Sequence, residues 1–295
     1  MATCDTESHQ ASKYFDRLSW RRQRADYEVL RLVARYVYSV KLCDVQRVRR
    51  EGQEFYRKQR LPRSTLLVAS SNWWLRHNGG TLYGLSETEW LDWECRLAPE
   101  AQGRPVKVQG NVLWTPGFSG VSLRTWLSSR IEPVAKQHAF MAAIRELRRL
   151  HSLDTSFPDG TTRLWSHGDS HAGNVFFDAV HHGVTWFDFE AIHAAHLSAS
   201  WRHADDVRAL IFSSAAYLPL QRVEDLALWA VAALNKPTDR AVLQELSLMV
   251  RQMQKRPTLF QLAQAPLDFL RHQRLVAALQ STLQQTLSFG ICGKR

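Results

Sequence analysis

The chain has 295 residues, of which 45% are hydrophobic and 22% charged, and this ordinary globular composition excludes disordered, collagen-like and coiled-coil proteins. Its formal net charge is +10, which favours anionic over cationic partners. No apolar run approaches the ~20 residues of a transmembrane helix, and the first ten residues lack the apolar segment of a secretory signal, so we expect a cytoplasmic protein.

The basic charge is concentrated at the start of the chain. Residues 1–63 contain fifteen Lys or Arg and eight Asp or Glu, a surplus of seven. After a polar segment at 1–15 that we expect to be frayed, residues 20–38 show helical spacing. One face of this helix carries Tyr27, Leu30, Val33, Ala34 and Val37, and another carries Arg24, Arg31 and Arg35. The arginines favour either contact with an anionic membrane surface or an ordinary solvated face.

Two strand pairs are predicted next. Val45–Leu61 forms two short strands around a turn at Glu51-Gly52, and a second pair is expected at Leu66–Ala69 and Trp73–His77, closed by Gly79-Gly80. Tryptophans interleaved with basic residues are also found in nucleic-acid-binding proteins. We expect core packing for these side chains and no nucleic-acid partner, the tryptophans concerned being Trp73, Trp74, Trp90 and Trp93.

A helix is predicted to begin after Ser86, because Ser86 and Glu89 have the spacing of a capping box, and to stop near Pro99. A strand is predicted at Val106–Leu113. The TPGFSG loop that follows marks a boundary near residue 118, which divides the chain into residues 1–118 and 119–295.

The second half is predicted to be mainly helical. Phe140, Ile144, Leu147 and Leu150 form an apolar stripe along one helix. Two short strands, Val175–Phe177 and Val184–Phe187, are joined by the turn DAVHHG. Further helices are expected at 205–217, 222–235, 239–253 and 266–288. The fold class is therefore α+β, with a mixed first third and a helical second half.

Polar residues surround the two short strands. SHGDSHAGNVFFD, at 166–178, places Asp169 and Asn174 in a loop that leads into the first strand, and Asp188 follows the second. If the strands pair as a hairpin, these three side chains converge. Oxygen ligands of this type suit Mg²⁺, and a carboxylate free of metal can accept a hydroxyl proton. This set of residues fits phosphoryl transfer.

The pattern H-G-D-x-x-x-x-N followed by D-F-E resembles the catalytic and metal loops of the aminoglycoside phosphotransferase and choline kinase family. RELRRLH at 145–151 and WRHADDVRAL at 201–210 also resemble segments of that family. The resemblance is closest over 140–212, weaker over 87–127 and weakest over 1–80. It implies a bilobal protein-kinase-like fold, with a small β-rich amino-terminal lobe and a larger helical carboxy-terminal lobe, that uses ATP and Mg²⁺.

The resemblance also implies roles for individual residues. Asp169 would be the catalytic base, and Asn174 and Asp188 would hold magnesium. His167 would make a structural hydrogen bond near the metal loop, and Asp206 would support the catalytic loop. Substrate would bind to the helical half, and ATP between the lobes near 114–119.

The nucleotide-binding side is less clearly defined. The family uses a strand Lys to contact the phosphates and a helix Glu to orient it, and Lys58 and Glu94 fit these roles by position. Arg76 is an alternative to Lys58, because it is closer to Glu94 in sequence. No G-x-G-x-x-G precedes Lys58, and Gly52 is the only glycine in the turn. Reduced activity, or a non-catalytic nucleotide-binding adaptor, therefore stays open.

Departures from the protein-kinase pattern favour a small-molecule substrate. Gly168 occupies the position at which protein kinases carry the Arg that contacts the phosphate group of the activation loop. Glu190 replaces the Gly of D-F-G. The segment from Glu190 to Asp206 is also too short for a long activation loop. We therefore predict transfer of the γ-phosphoryl group of ATP to a small-molecule hydroxyl, with an atypical protein kinase as the alternative.

The charge of the chain also bears on its acceptor and partners. A net charge of +10 disfavours a cationic aminoglycoside and favours a sugar or an envelope glycan. The histidines between 167 and 203 match no zinc-binding spacing, although His171, inside the predicted catalytic loop, is expected to contact substrate. The cysteines are widely spaced and are expected to be reduced. The apolar face of the basic helix is expected to pack on the nucleotide-binding lobe, which leaves its arginines in solvent. Peripheral contact of these arginines with the inner membrane surface would suit an envelope acceptor.

Overall fold

The computed structural model describes residues 21–36, 42–77, 80–255, 257–265 and 267–292. Over these residues the chain is α+β, as expected from the sequence. Its helices are α1 (21–36), α2 (Pro62–His77), α3 (Glu87–Gln102), α4 (Leu123–Ser128), α5 (Pro133–Leu150), α6 (Ala199–Ala215), α7 (Asp225–Ala233), α8 (Arg240–Lys255), α9 (Leu259–Gln264) and α10 (Phe269–Cys292). None of the helices in these ranges is both long and apolar enough to cross a bilayer.

The strands form small antiparallel sheets. One sheet has the order β1-β2-β5-β4, a second has the order β10-β9-β6, and β11-β3 and β7-β8 are separate pairs. The strands are β1 (Cys43–Arg50), β2 (Gln53–Arg60), β3 (Leu82–Gly84), β4 (Lys107–Gln109), β5 (Val112–Pro116), β6 (Val121–Ser122), β7 (Asp154–Ser156), β8 (Thr162–Leu164), β9 (Val175–Asp178), β10 (Gly183–Trp186) and β11 (Ala191–His193).

The first predicted hairpin is confirmed. β1 and β2 pair from Cys43↔Arg60 to Arg50↔Gln53, and the two turn residues have positive φ, 50° at Glu51 and 78° at Gly52. Two-residue turns of this kind match the twist of antiparallel strands. The strand expected at Val106–Leu113 is instead the hairpin β4–β5, because Gly110 adopts φ 61° and turns the chain.

The second strand pair was predicted wrongly, because α2 occupies its place. Pro62 is the first helical residue, a position where its missing N–H has no cost. The Asn72 side chain bonds both the N–H and the carbonyl of Gly84, at 2.9 and 2.7 Å, so α2 holds the neighbouring strand β3. Trp73 was expected in the core but is 64% exposed.

The core joins α3 to the helical half. The Ser86–Glu89 capping box is present, and Trp90 and Trp93 of α3 are fully buried. α3 continues past Pro99 to Gln102, since Ala98 and Ala101 are also packed in the core. The stripe on α5 is buried as predicted, and the same hydrophobic cluster extends to α10. The domain boundary at 118 stays a prediction.

The later helices agree with the sequence except at their ends. α6 begins at Ala199, where Ser198 caps it by accepting the Trp201 N–H at 3.2 Å, rather than at 205. The helix expected at 266–288 is α10, which begins at Phe269 and ends at Cys292, and it is preceded by the short helix α9, which was not predicted. The break between them brings the end of α9 to the predicted catalytic loop.

The amino-terminal helix packs differently from the expectation. Tyr27 and Ala34 of α1 are buried against α9 and α10, with Tyr27 Oη donating to the Leu267 carbonyl at 3.1 Å. The expected contact was with the nucleotide-binding lobe. Val33, assigned to the packed face, is 45% exposed, and Val37 lies outside the described residues. Membrane contact through the α1 arginines stays a prediction.

Candidate active site

The loop at 166–174 connects β8 to β9, and hydrogen bonds to Asp206 of α6 hold it in place. The buried Asp206 carboxylate accepts the backbone N–H groups of His167, at 2.7 Å, and Gly168, at 2.9 Å. It also bonds His151 Nε2 at 2.9 Å. Gly168 has φ 82°, and a Cβ there would lie 2.8 Å from the Ala191 carbonyl oxygen. The bend of this loop therefore requires glycine at 168.

We expect Asp206→Ala to destabilise the fold by roughly 2–6 kcal/mol, because two buried N–H groups lose their acceptor. Burial alone would raise the pKa of Asp206, but the hydrogen bond from His151 and the neighbouring His193 and His167 together outweigh it and hold the pKa below its ordinary value. The stabilisation is therefore present above about pH 4 and is lost as pH falls through the folded pKa.

Urea denaturation at several pH values measures this effect. Asp154→Ala, on the exposed edge of β7, is the matched control and should have wild-type stability. If Asp206→Ala is as stable as wild type at pH 7, Asp206 is not the support of the loop.

His167 is buried in the same loop and makes a structural contact. Burial lowers the pKa of His167 to about 4, so its ring is neutral at pH 7. Its Nδ1 accepts the Asp169 N–H at 3.3 Å, and its Nε2–H therefore donates to the Phe187 carbonyl at 3.1 Å. His167 links the 166–174 loop to the segment that carries Asp188.

Asp169 lies in the same loop, and its side chain is 34% exposed. Asn174 Nδ2 donates to the Asp169 backbone carbonyl at 2.9 Å and to its Oδ2 at 3.3 Å. His171 Nε2 is 3.6 Å from the same Oδ2. Burial raises the pKa of Asp169, and the electrostatic effect of His171 opposes this shift without reversing it. A partly exposed carboxylate with raised proton affinity is suited to accept a proton from a hydroxyl.

Lys58 of β2 is surrounded by carboxylates. Its buried ammonium bonds Asp188, lies 2.5 Å from Glu190 Oε1, and is 3.9 Å from Glu94 Oε1. Burial would lower the pKa of Lys58, but the carboxylates raise it above its ordinary value, so the side chain is charged. Cys43 Sγ–H donates to the same Glu190 oxygen at 2.9 Å.

Glu94 of α3 connects this cluster to the core. Its Oε1 accepts the Trp90 indole N–H at 3.2 Å and the Phe189 backbone N–H at 3.1 Å. Burial raises the pKa of Glu94 to about 7, although Lys58 opposes the shift. Glu94 thus fixes the backbone next to Asp188, while Asp188 and Glu190 are the closer partners of Lys58.

The structure brings all the predicted site residues into one set of contacts. Asp169 contacts Asn174. The Asn174 backbone carbonyl accepts, at 3.1 Å, the N–H of Phe187, which is the residue immediately before Asp188. Asp188 has φ 72°, in the left-handed region that Asp tolerates better than most residues, and it pairs with Lys58. Arg76, the alternative cation, is on α2 rather than on a strand, and its side chain lies outside the described residues.

The donor set fits a hard divalent cation. The side-chain amide nitrogen of Asn174 donates to Asp169, so its side-chain oxygen is left to bind a cation. Asp188 supplies a carboxylate. One or two protein oxygens completed by phosphate and water are typical of Mg²⁺. Among the described residues, no group of three or more His, Cys, Asp or Glu is arranged to hold a metal ion.

An aromatic cluster adjoins these polar residues. Phe118, in the segment between β5 and β6, stacks on Tyr56 at 5.8 Å and on Phe187 at 5.5 Å between ring centroids, and contacts Phe176 at 5.4 Å. Tyr56 precedes Lys58 by two residues on β2, and Phe187 precedes Asp188. Half-buried rings therefore lie next to the cation and the carboxylate of the site.

Sequence reasoning missed several contacts of this site. Gln264 of α9 approaches Asp169, and Cys43 bonds Glu190, although nothing in the local sequence of either residue indicates it. The aromatic cluster was also missed, because its members come from separate elements. Two signals were present in the sequence: Phe118 lies in the 114–119 segment expected near ATP, and Tyr56 and Phe187 lie close in sequence to Lys58 and Asp188.

Comparison with known proteins adds little to this geometry. No protein-family model matches the chain, and no curated protein sequence matches it. Among solved structures, the chain is similar to an ethanolamine kinase from Plasmodium vivax, with 9% identity and a TM-score of 0.31 over 84% of this chain and 85% of that one. That neighbour is a small-molecule kinase, but likeness at this level identifies neither the family nor the reaction of the chain.

Proposed function

We propose that the protein is an ATP-dependent phosphotransferase that acts on a hydroxyl group of a small molecule. The observation that carries the proposal is the convergence of Lys58, Asp188, Asn174 and Asp169. A cation, two oxygen ligands and a partly exposed carboxylate are the groups that phosphoryl transfer requires. They come from β2 and from both sides of the β9–β10 hairpin, and the hydrogen bonds described above fix their positions.

In the proposed reaction, Asp169 accepts the proton of the acceptor hydroxyl. The acceptor oxygen forms a bond to the γ-phosphorus, the bond from that phosphorus to the β,γ-bridging oxygen breaks, and ADP leaves. Lys58 shifts from its carboxylate partners to the phosphate oxygens. Asn174 and Asp188 would hold magnesium, which neutralises phosphate charge when bound. Asp169, being partly exposed, then releases its proton to solvent.

The acceptor that we favour is a sugar or a phosphorylated envelope glycan. The net charge of +10 repels cationic acceptors and attracts anionic ones. We place the acceptor on the Asp169 side of the site, close to His171. Peripheral contact of α1 with an anionic membrane would suit such a substrate.

The aromatic cluster supports a stacking site for the nucleobase, and Phe118→Ala tests this role. Stacking of a base on an aromatic ring is worth about 1–3 kcal/mol, so we expect ATP affinity to fall by that amount. Isothermal titration calorimetry measures it, with Trp73→Ala as the control because Trp73 is an exposed aromatic side chain outside the cluster. Unchanged or tighter ATP binding by Phe118→Ala would show that the base does not bind there.

One observation favours a second candidate, a non-catalytic nucleotide-binding protein. β1 and β2 pair through to a two-residue turn, so the hairpin that they form has no glycine-rich loop to cover the phosphates. Incubation with γ-labelled ATP, magnesium and a cellular extract separates the candidates. Label on small molecules is expected, label on proteins would indicate an atypical protein kinase, and ATP binding without transfer would indicate the non-catalytic protein.

A further inference from the structure

Gln264 is a buried polar residue that approaches the proposed catalytic base from a distant part of the chain. It is the last residue of α9 and is 5% exposed. Its Nε2 lies 3.5 Å from Asp169 Oδ1 and 3.4 Å from the Gly168 carbonyl oxygen. These are long hydrogen bonds, of a length common in active sites without substrate. Gln264 thus faces the carboxylate oxygen that Asn174 does not contact.

The orientation of the Gln264 amide is fixed by Arg208. Arg208 Nη2 donates to Gln264 Oε1 at 2.5 Å. A guanidinium group has donors but no acceptor, so the amide oxygen must point to Arg208 and the amide nitrogen must point to Asp169. The usual ambiguity between amide oxygen and nitrogen is therefore removed by chemistry.

Arg208 is itself held in place by a buried chain of polar contacts. Its side chain is fully buried in α6, and its Nε donates to Asp205 Oδ1 at 2.8 Å. Asp205 Oδ2 is 3.4 Å from His193 Nε2, and His193 Nδ1 bonds Ser166 Oγ at 2.9 Å. The chain of contacts therefore starts and ends on the 166–174 loop.

We propose that Gln264 is a positioning residue that holds the Asp169 carboxylate in the orientation needed to accept the acceptor proton. The proposal rests on the function proposed above. Asn174 bonds one carboxylate oxygen and Gln264 the other, so rotation of the carboxylate is opposed from both sides. Asp169 then approaches an acceptor hydroxyl in one orientation, and misplacement by about 1 Å would lower turnover roughly a hundredfold.

Gln264→Glu separates this role from packing. The side chain keeps its size and one oxygen toward Arg208, whose charge favours the ionised form of the introduced carboxylate, so we expect the protein to fold. The nitrogen donor toward Asp169 is replaced by an anionic oxygen. We expect the turnover number to fall about ten- to a hundredfold, with ATP affinity within about threefold of wild type.

Gln261→Ala is the matched control, because Gln261 lies on the same short helix and caps its start. Gln261 bonds the backbone of Thr258 and belongs to the α9 capping box, away from the contacts of Asp169. We expect reduced thermal stability and wild-type turnover for it. Gln264→Ala should lose turnover as Gln264→Glu does, but it also leaves Arg208 without that acceptor.

The assay is magnesium-dependent formation of ADP from ATP, in which water takes the place of the acceptor. Water oxygen attacks the γ-phosphorus, ADP leaves, and Asp169 takes the proton. Turnover of Gln264→Glu within about twofold of wild type, or a loss confined to ATP affinity, would overturn the inference. If wild type is no faster than Asp169→Asn, the proposed function fails, and Gln264 has no base to position.

Discussion

Asp169→Asn is expected to lower phosphoryl transfer by about 10²–10⁴-fold, the usual effect of removing a positioned base. The amide keeps the shape of the side chain but accepts a proton far less readily. Folding and ATP binding should be close to wild type, because the Asp206 contacts and the Lys58 cluster are unaltered. Steady-state kinetics with an identified acceptor, together with calorimetry for ATP, measure both expectations.

Asp154→Asn provides the control for this substitution, since it makes the same chemical change at an exposed position on β7. It should have wild-type turnover. Near-wild-type turnover of Asp169→Asn would remove Asp169 from its proposed role.

Asp188→Ala is expected to abolish the magnesium dependence of ATP binding. Asp188 is the proposed anionic ligand, and the phosphate charge needs its metal for tight binding. Asp188→Asn should accompany it, because φ is 72° at this position and Asn tolerates such backbone better than Ala. The measurement is calorimetric titration of ATP with and without magnesium.

The control for the charge change is Asp92→Ala, which removes a carboxylate from an exposed position on α3. It should keep the magnesium effect of the wild type. An undiminished magnesium effect in both Asp188 variants would leave Asp188 a structural partner of Lys58.

Local sequence signals predicted those parts of the fold whose causes are local. The Glu51-Gly52 turn fixes the β1–β2 hairpin, and Ser86 with Glu89 fixes the start of α3. The second strand pair failed because LLVA is a short apolar run and WWLRH contains two tryptophans, and both features favour strands. The helix that forms there is fixed by Pro62 at its start and by the distant contact of Asn72 with Gly84.

The site shows the same division. Asp169, Asn174 and Asp188 could be placed together from sequence, because paired short strands bring the segments around them to one place. The partners of Lys58 depend on how β1 and β2 meet the segment after β10, and Glu190 and Cys43 therefore gave no signal. Gln264 is the last residue of α9, and the helix ends there because Ala265 leaves helical geometry, with φ −149° and ψ 81°. The contact of Gln264 with Asp169 therefore depends on where this helix ends, which the local sequence did not indicate.

The most direct test of the site is a crystal structure of the wild-type protein with magnesium and a non-hydrolysable ATP analogue. We predict the terminal phosphate between Lys58 and Asp169, a magnesium ion bound by Asn174 and Asp188, and the base against Phe118. A nucleotide bound elsewhere, with Lys58 still paired to Asp188 and Glu190, would contradict the proposed phosphotransferase site.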